Sequence, residues 1–493
     1  MNITVLLRSL GTMVLLLGIA MGISVLLAAI VPVGEAHETG LNLGGWALSL
    51  SIALTLGAGL WLAGHYFARK AGRGSAMRRR EAMALVGAGW FFCSIVGALP
   101  YVFCEPYVPF FDAFFEAVSG LTTTGSTIFS DLEQLPRTIL VWRSTTQWLG
   151  GMGILAMFVV VLSGMTASSK TLIGAESSLA NSDIASLRQT MRQLWGIYSI
   201  FTLICFLGLW AFGLTPFQAM NYALTAVSTG GFGTENDSVG PLFSGGSKIW
   251  LTCFMLMGAM SFPFYLTLLK RRFVDLRVKF EEIVWYLIFL FVISGVLIAQ
   301  SLTGHLEVGV IDIIFNVVSV STTTGYVSSD YDSWSRVGVA LLILLMIVGG
   351  CSGSTAGGLK MSRMIFWFRF VSAGLERSFR PKVVSPIKLA GRQVADDATD
   401  QLFLVLSLFG FFGISGTLLF QLFDPGHSLM GAMSAVISCL GNVGPAFAEM
   451  GPTENFSGVS PASKTLFACL MILGRLEYVA LLVLFSRQLW KRY

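Results

Sequence analysis

Four ten-residue windows align without gaps on a terminal glycine: EAVSGLTTTG ending at Gly125, NYALTAVSTG at Gly230, NVVSVSTTTG at Gly325 and AVISCLGNVG at Gly444. The first and third share Val, Ser, Thr, Thr, Thr and Gly in register, and Asp112 and Asp312 keep one offset from them. Each window closes a short apolar segment, over residues 110–123, 216–228, 308–323 and 428–440, and each segment lies between two longer ones. A hydrocarbon core of about 30 Å takes about 20 helical residues to cross, so the short segments enter and turn back. The chain therefore reads as four repeats of span, re-entrant helix, glycine turn and span, a longer unit than most soluble solenoid repeats. The repeats cover 81–170, 195–270, 282–370 and 399–490, behind a front hairpin in 1–80. The expected fold is an all-α polytopic membrane protein of about ten transmembrane helices, with four equivalent units that can surround one axis.

Charge gives the orientation. Only 12% of the 493 residues are charged and 54% are hydrophobic, against about 25% charged in a soluble chain. Basic clusters at 69–80, 270–279, 360–392 and 487–492 alternate with acidic or neutral loops at Glu35, Glu105, Glu235, Asp332 and Glu454. The positive-inside rule puts the basic loops and the N-terminus in the cytoplasm. Every re-entrant segment then enters from outside, so the units are parallel rather than inverted. Strict alternation with spans argues against nucleic acid as a partner; the partner is the lipid bilayer. The apolar run over 10–33 exceeds the roughly 7–15 residues of a signal-peptide core and reads as a retained anchor. Seven cysteines without CxxC spacing give neither a disulfide framework nor a zinc site. No HExxH, GxSxG or paired-carboxylate signature is present, so the chain is not read as an enzyme.

Non-helical backbone at membrane depth is tolerated only where protein buries it or water wets it. Four equivalent turns around one axis would present rings of carbonyl oxygens, which can replace the hydration shell of a monovalent cation. Glycine permits the dihedrals that aim successive carbonyls. The C-terminus of each short helix adds partial negative charge. Divalent-cation pores more often use carboxylate rings, and no window has a carboxylate within five residues before its glycine. A K⁺-like ion is favoured, with Thr123, Thr124, Gly125, Ser228, Thr229, Gly230, Thr323, Thr324, Gly325, Asn442, Val443 and Gly444 as its candidate contacts.

Seven motifs carry a resemblance: TTTGS at Thr122, WRSTTQWLGGMGI at Trp142, STGGF at Ser228, TTTGY at Thr322, GGCSGSTAGGLK at Gly349, NVGP at Asn442 and GRLE at Gly474. With them the chain resembles the Trk/Ktr/HKT superfamily of potassium transporters, most of all the membrane subunit of the bacterial Trk system. The resemblance implies K⁺ uptake through a single-chain pore of four units in pseudo-fourfold arrangement, a homodimer in the bacterial inner membrane, and control by a cytosolic nucleotide-binding subunit. The fourth window has no threonine, so K⁺ over Na⁺ selectivity is most open to question there.

Glycine and serine density should break the helix at 349–360; the plainer reading is close helix packing through small residues. GSTAGGLK does not match a phosphate-binding loop. The resemblance makes Gly349, Gly350, Cys351, Ser352, Gly353, Ser354, Thr355, Ala356, Gly357 and Gly358 a gate below the filter. It also makes Arg475 a pore-lining cation beside that gate. An arginine at a span centre costs about 2.5–3.5 kcal/mol on insertion scales, so an ion pair to another repeat is the alternative. Lys360 is expected at a cytoplasmic helix end and Arg143 at the outer interface. Asp112 and Asp312 are expected to N-cap their helices, with attraction of cations to the mouth as the alternative. A Na⁺- or H⁺-coupled symporter would need an internal carboxylate, for which Glu477 is the main candidate.

Overall fold

The computed structural model describes residues 3–32, 42–71, 79–163, 184–240, 242–270, 273–380, 388–389, 392–393 and 396–486. Much of the basic clusters near 72–78 and 381–387, the terminal cluster 487–492 and the acidic stretch at Glu35 lie outside them. Apart from a two-residue antiparallel pair, Lys388–Leu389 with Arg392–Gln393, the elements are helical. In chain order they are α1 (Ile3–Ile30), α2 (Leu43–Ala71), α3 (Arg79–Gly97), α4 (Leu99–Phe103), α5 (Phe110–Leu121), α6 (Arg137–Ser163), α7 (Ile184–Ala211), α8 (Pro216–Val227) and α9 (Gly245–Ala259). There follow α10 (Phe262–Leu269), α11 (Phe273–Leu302), α12 (Val310–Ser321), α13 (Arg336–Val348), α14 (Met361–Phe379), α15 (Asp396–Phe423), α16 (Leu429–Gly441), α17 (Pro461–Arg475) and α18 (Val479–Leu482).

Among the described residues six helices are long and apolar enough to cross a membrane, and the bent pair α9–α10 makes a seventh. Of the ten expected spans, α6 is a continuous helix outside those six, and three others are interrupted. The expected span 250–269 bends by 89° between α9 and α10. There Met260 ends one helix, and Ser261 with Pro263 starts the next. The expected span 466–489 stops at Arg475, and Glu477 and Tyr478 take left-handed conformations (φ 52° and 65°). The third break separates α13 from α14 at 349–360.

The short helices α5, α8 and α12 have 12 residues and α16 has 13. Twelve residues rise about 18 Å, too little to cross. Their starts are built in two ways. Thr215 forms a capping box with Gln218 at α8, and the Ser428 hydroxyl accepts the N–H of Gly431 at α16. Helices α5 and α12 start at Pro109 and Gly309 with no side-chain cap, so Asp112 and Asp312 are not N-caps. Each instead stands in the first turn and pairs across a helix interface. Lys464 of α17 meets Asp112, and Lys248 of α9 meets Asp312, both at 2.8 Å. A carboxylate there still offsets the positive end of the helix.

Candidate functional site

After each short helix the backbone repeats one conformation. A left-handed residue is followed two places later by a glycine at positive φ: Thr123 and Gly125, Thr229 and Gly231, Thr323 and Gly325, Asn442 and Gly444. The hydrogen bonds agree. The third residue of each turn donates its N–H back to a hydroxyl residue of the helix: Thr124 to Ser119, Gly230 to Thr225, Thr324 to Ser319 and Val443 to Ser438. The four turns thus align in rows. Row one is Thr122, Ser228, Thr322 and Gly441. Row two is Thr123, Thr229, Thr323 and Asn442. Row three is Thr124, Gly230, Thr324 and Val443, and row four is Gly125, Gly231, Gly325 and Gly444.

This corrects the second window by one residue: the counterpart of Gly125 is Gly231, not Gly230. Two adjacent glycines look alike in sequence, but the turn needs positive φ at one of them. The shift also lines up Ser119, Thr225, Ser319 and Ser438, a row of hydroxyls that the shorter register hid.

The row-four glycines are where the turns meet. A side chain on Gly125 would strike the carbonyl of Gly230, one on Gly231 that of Thr324, one on Gly325 that of Val443, and one on Gly444 that of Thr124. Each contact runs from one turn to row three of the next, and the four close a cycle. The same four glycines line a cleft of ≈ 190 Å³ that also holds Glu235 and Glu454.

Row two is buried, yet among the described residues the carbonyls of Thr123, Thr229, Thr323 and Asn442 accept no hydrogen bond from protein. Buried carbonyls are almost always paired. A ring of four without protein partners is suited to a dehydrated cation or to water. Elsewhere the carbonyls are less free. Gly230 O accepts from Gln147 Nε2 at 2.6 Å, and Gly444 O accepts from Ser126 and Ser438 at 2.9 Å each.

Residues beyond the turns themselves hold them in place, and sequence reasoning missed Glu116, Asn316 and Gln147 among them. Glu116 is fully buried in α5 and accepts from Ile128 N at 3.0 Å. Its counterpart Asn316 in α12 accepts from Ser328 N at 3.1 Å. Arg143, expected at the outer interface, is buried; its Nε meets Glu116 Oε1 at 2.8 Å. One of its other nitrogens donates to Gly233 O at 3.2 Å, and its guanidinium lies 4.1 Å from the Phe232 ring centre. Gln147 donates to Gly230 O and its Oε1 accepts from Phe232 N at 3.0 Å. A lone Glu in an apolar window and a Gln within an apolar helix were the available signals.

Residues 349–360 lie directly against rows one and two. Gly357 N donates to Thr323 Oγ1 at 2.7 Å, Thr229 Oγ1 donates to Thr355 Oγ1 at 3.2 Å, and Gly358 N donates to Gly441 O at 2.9 Å. The loop also fills the α9–α10 break. Cys351 N donates to Ala259 O at 2.9 Å, and Phe262 N donates to Gly353 O at 3.0 Å. Helix ends leave such groups unpaired, so the bend and the loop complete each other. Arg475 is buried and donates to Thr355 O at 2.6 Å; its Nε and remaining terminal nitrogen have no protein partner. Among the described residues it makes no ion pair, whereas Glu477 pairs with Arg363. Lys360 stands at the start of α14 with φ 74°, and its ammonium turns back to Ala356 O.

The model of the TrkH cation transport protein family matches residues 61–492. The chain belongs to the TrkH family. It is a multi-pass membrane protein of a cation transport family and not an enzyme. Similarity to individual TrkH-family members runs nearly end to end. The chain is 30% identical to the Trk system potassium uptake protein TrkH of Salmonella typhimurium, over 89% of this chain and 91% of that one. It is 29% identical to TrkH of Halomonas elongata over the full length of both. The crystal structure of the potassium transporter TrkH from Vibrio parahaemolyticus superposes with a TM-score of 0.86, covering 100% of each chain at 25% identity.

Proposed function

We propose that this chain carries K⁺ into the cell through a filter formed by its four glycine turns, arranged in pseudo-fourfold symmetry around one axis. Potassium comes from the names of the relatives. The observation that carries the filter is the closed cycle of turns whose row-two carbonyls are buried and free of protein partners. K⁺ sheds its water to carbonyl oxygens there, helped by the negative ends of α5, α8, α12 and α16. The ion-contacting set is Thr123, Thr124, Gly125, Ser228, Thr229, Gly230, Thr323, Thr324, Gly325, Asn442, Val443 and Gly444, with Gly231 added by the register. Residues 349–358 form the gate, and Arg475 holds it through Thr355 while its charge repels ions below the filter. Glu477, the carboxylate a coupled symporter would use, is ion-paired with Arg363, which supports flux down the electrochemical gradient. The proposal includes a homodimer in the bacterial inner membrane with a cytoplasmic N-terminus and a cytosolic nucleotide-binding partner that opens the gate. Both partners rest on the family resemblance.

The test is Rb⁺ and Na⁺ influx into vesicles carrying wild type or Gly325→Ser. A side chain on Gly325 meets the Val443 carbonyl and must sit at φ 81°. Rb⁺ influx should fall at least about tenfold, or lose preference over Na⁺, for ~1–2 kcal/mol of left-handed strain plus the collision. Unchanged Rb⁺ influx and preference would sink the filter.

A further inference from the structure

Both ends of loop 349–360 converge on one side chain of another helix. Glu282 of α11 accepts the backbone N–H of Ser352 at 2.8 Å and that of Ser362 at 3.0 Å, both on Oε1. Ser352 is near the start of the loop, and Ser362 lies in the first turn of α14, ten residues later. Their hydroxyls meet at 2.5 Å. The adjacent Glu281 pairs with Arg369 further along α14. Helix α11 thus grips the loop and the helix that follows it at neighbouring residues.

We propose that Glu282 is a positioning residue of the gate: its carboxylate latches the two ends of the loop together and holds the loop closed against row two. This rests on the gate reading above. Hydrogen bonds to a carboxylate are roughly twice as strong as neutral ones. One of them satisfies an otherwise orphaned N–H at the start of α14, where negative charge is also favoured. The mid-loop contacts to Thr229, Thr323 and Arg475 stop the loop from dropping. The Glu282 contact stops its ends from parting, so opening must either release Ser352 N–H or carry α14 away from α11. A plain helix cap would need only Ser362; the second bond, to Ser352, is what makes the contact a clasp.

The experiment measures unstimulated Rb⁺ influx into vesicles for wild type, Glu282→Ala, Glu282→Gln, deletion of 352–356, and Glu282→Ala combined with the deletion. The latch predicts that Glu282→Ala raises influx about five- to tenfold. Glu282→Gln, which keeps an acceptor oxygen without the charge, should leak less than Ala. The combined variant should leak no more than the deletion alone. Wild-type influx in Glu282→Ala beside raised influx in the deletion variant would overturn the latch and leave the gate standing. Additive leaks would also overturn it, by placing Glu282 on another route. A deletion variant no leakier than wild type would overturn the gate reading and the latch with it. Should Glu282→Ala elute as aggregate on size exclusion, Glu282→Leu, which keeps the bulk without an acceptor oxygen, decides instead: raised influx supports the latch, and unchanged influx refutes it.

Discussion

In turns one and three a row-three threonine hydroxyl reaches back to row one, Thr124 to Thr122 at 2.7 Å and Thr324 to Thr322 at 2.8 Å. Turns two and four have Gly230 and Val443 in that row and no such brace. An amide takes its place in each. Gln147 of α6 clamps turn two through Gly230 O and Phe232 N. Asn442 ties turn four to Thr124 Oγ1 of turn one at 3.0 Å and to Met471 O at 2.9 Å. The ion pairs alternate the same way, since Lys248 and Lys464 come from units two and four and reach Asp312 and Asp112 of units three and one. The backbone therefore repeats four times while its supports repeat twice. A ring of carbonyls constrains φ and ψ at every wall, whereas any side chain that braces the wall will serve. The missing row-three threonine of turn four is then one half of an alternation, shared with turn two; in row two, where Thr123, Thr229 and Thr323 face Asn442, turn four departs alone.

The largest effect that can break this comparison lies in the register of turn two. A methyl on Gly231 would strike the backbone carbonyl of Thr324 at φ 80°, whereas one on Gly230 would strike the side chain of Gln147. Left-handed strain of ~1–2 kcal/mol adds to overpacking of ~1–3 kcal/mol at Gly231. Gly231→Ala should lose Rb⁺ influx at least about tenfold, while Gly230→Ala, whose obstacle can shift, should lose only a few-fold. The opposite ranking would return the equivalence to Gly230 and dissolve the aligned rows.

How far the site is legible in the sequence follows from the same contrast. Gly125, Gly325 and Gly444 stand out because few residues other than glycine tolerate their backbone. In STGGF that signal is doubled and so ambiguous. The helix breaks after Met260 and Arg475 are hidden because apolar composition reports burial in lipid, not helix continuity; Pro263 is the one local hint. Lys464 and Asp112, 352 residues apart, form a pair that no local pattern encodes. Arg143 looked like an interfacial anchor because its partner Glu116 sits within an apolar window. Long-range pairings of this kind belong to the cyclic closure of the chain, which local sequence does not carry.

The amide clamp gives a smaller effect. Gln147→Leu leaves Gly230 O and Phe232 N–H without their partner in a buried site, at a cost of ~1–3 kcal/mol each. The melting temperature of the purified protein should fall by roughly 2–5 °C, and Rb⁺ preference over Na⁺ should weaken, since turn two loses its brace. An unchanged melt and unchanged preference would mean that turn two supports itself, and the alternation would reduce to turn four alone.

The smallest effect discriminates most finely. Thr324→Val removes the hydroxyl brace of turn three at nearly constant volume and should cost ~1 kcal/mol, seen as a few-fold loss of Rb⁺ preference over Na⁺. The mirror change, Val443→Thr, supplies a row-three hydroxyl to turn four, but row one there is Gly441, which has no hydroxyl to receive it. Preference should stay within about twofold of wild type, because a new donor without a partner adds no brace. If Val443→Thr instead sharpened selectivity as much as Thr324→Val blunts it, threonine itself would be the determinant. Turn four would then be a weak wall after all, whatever Asn442 holds in place.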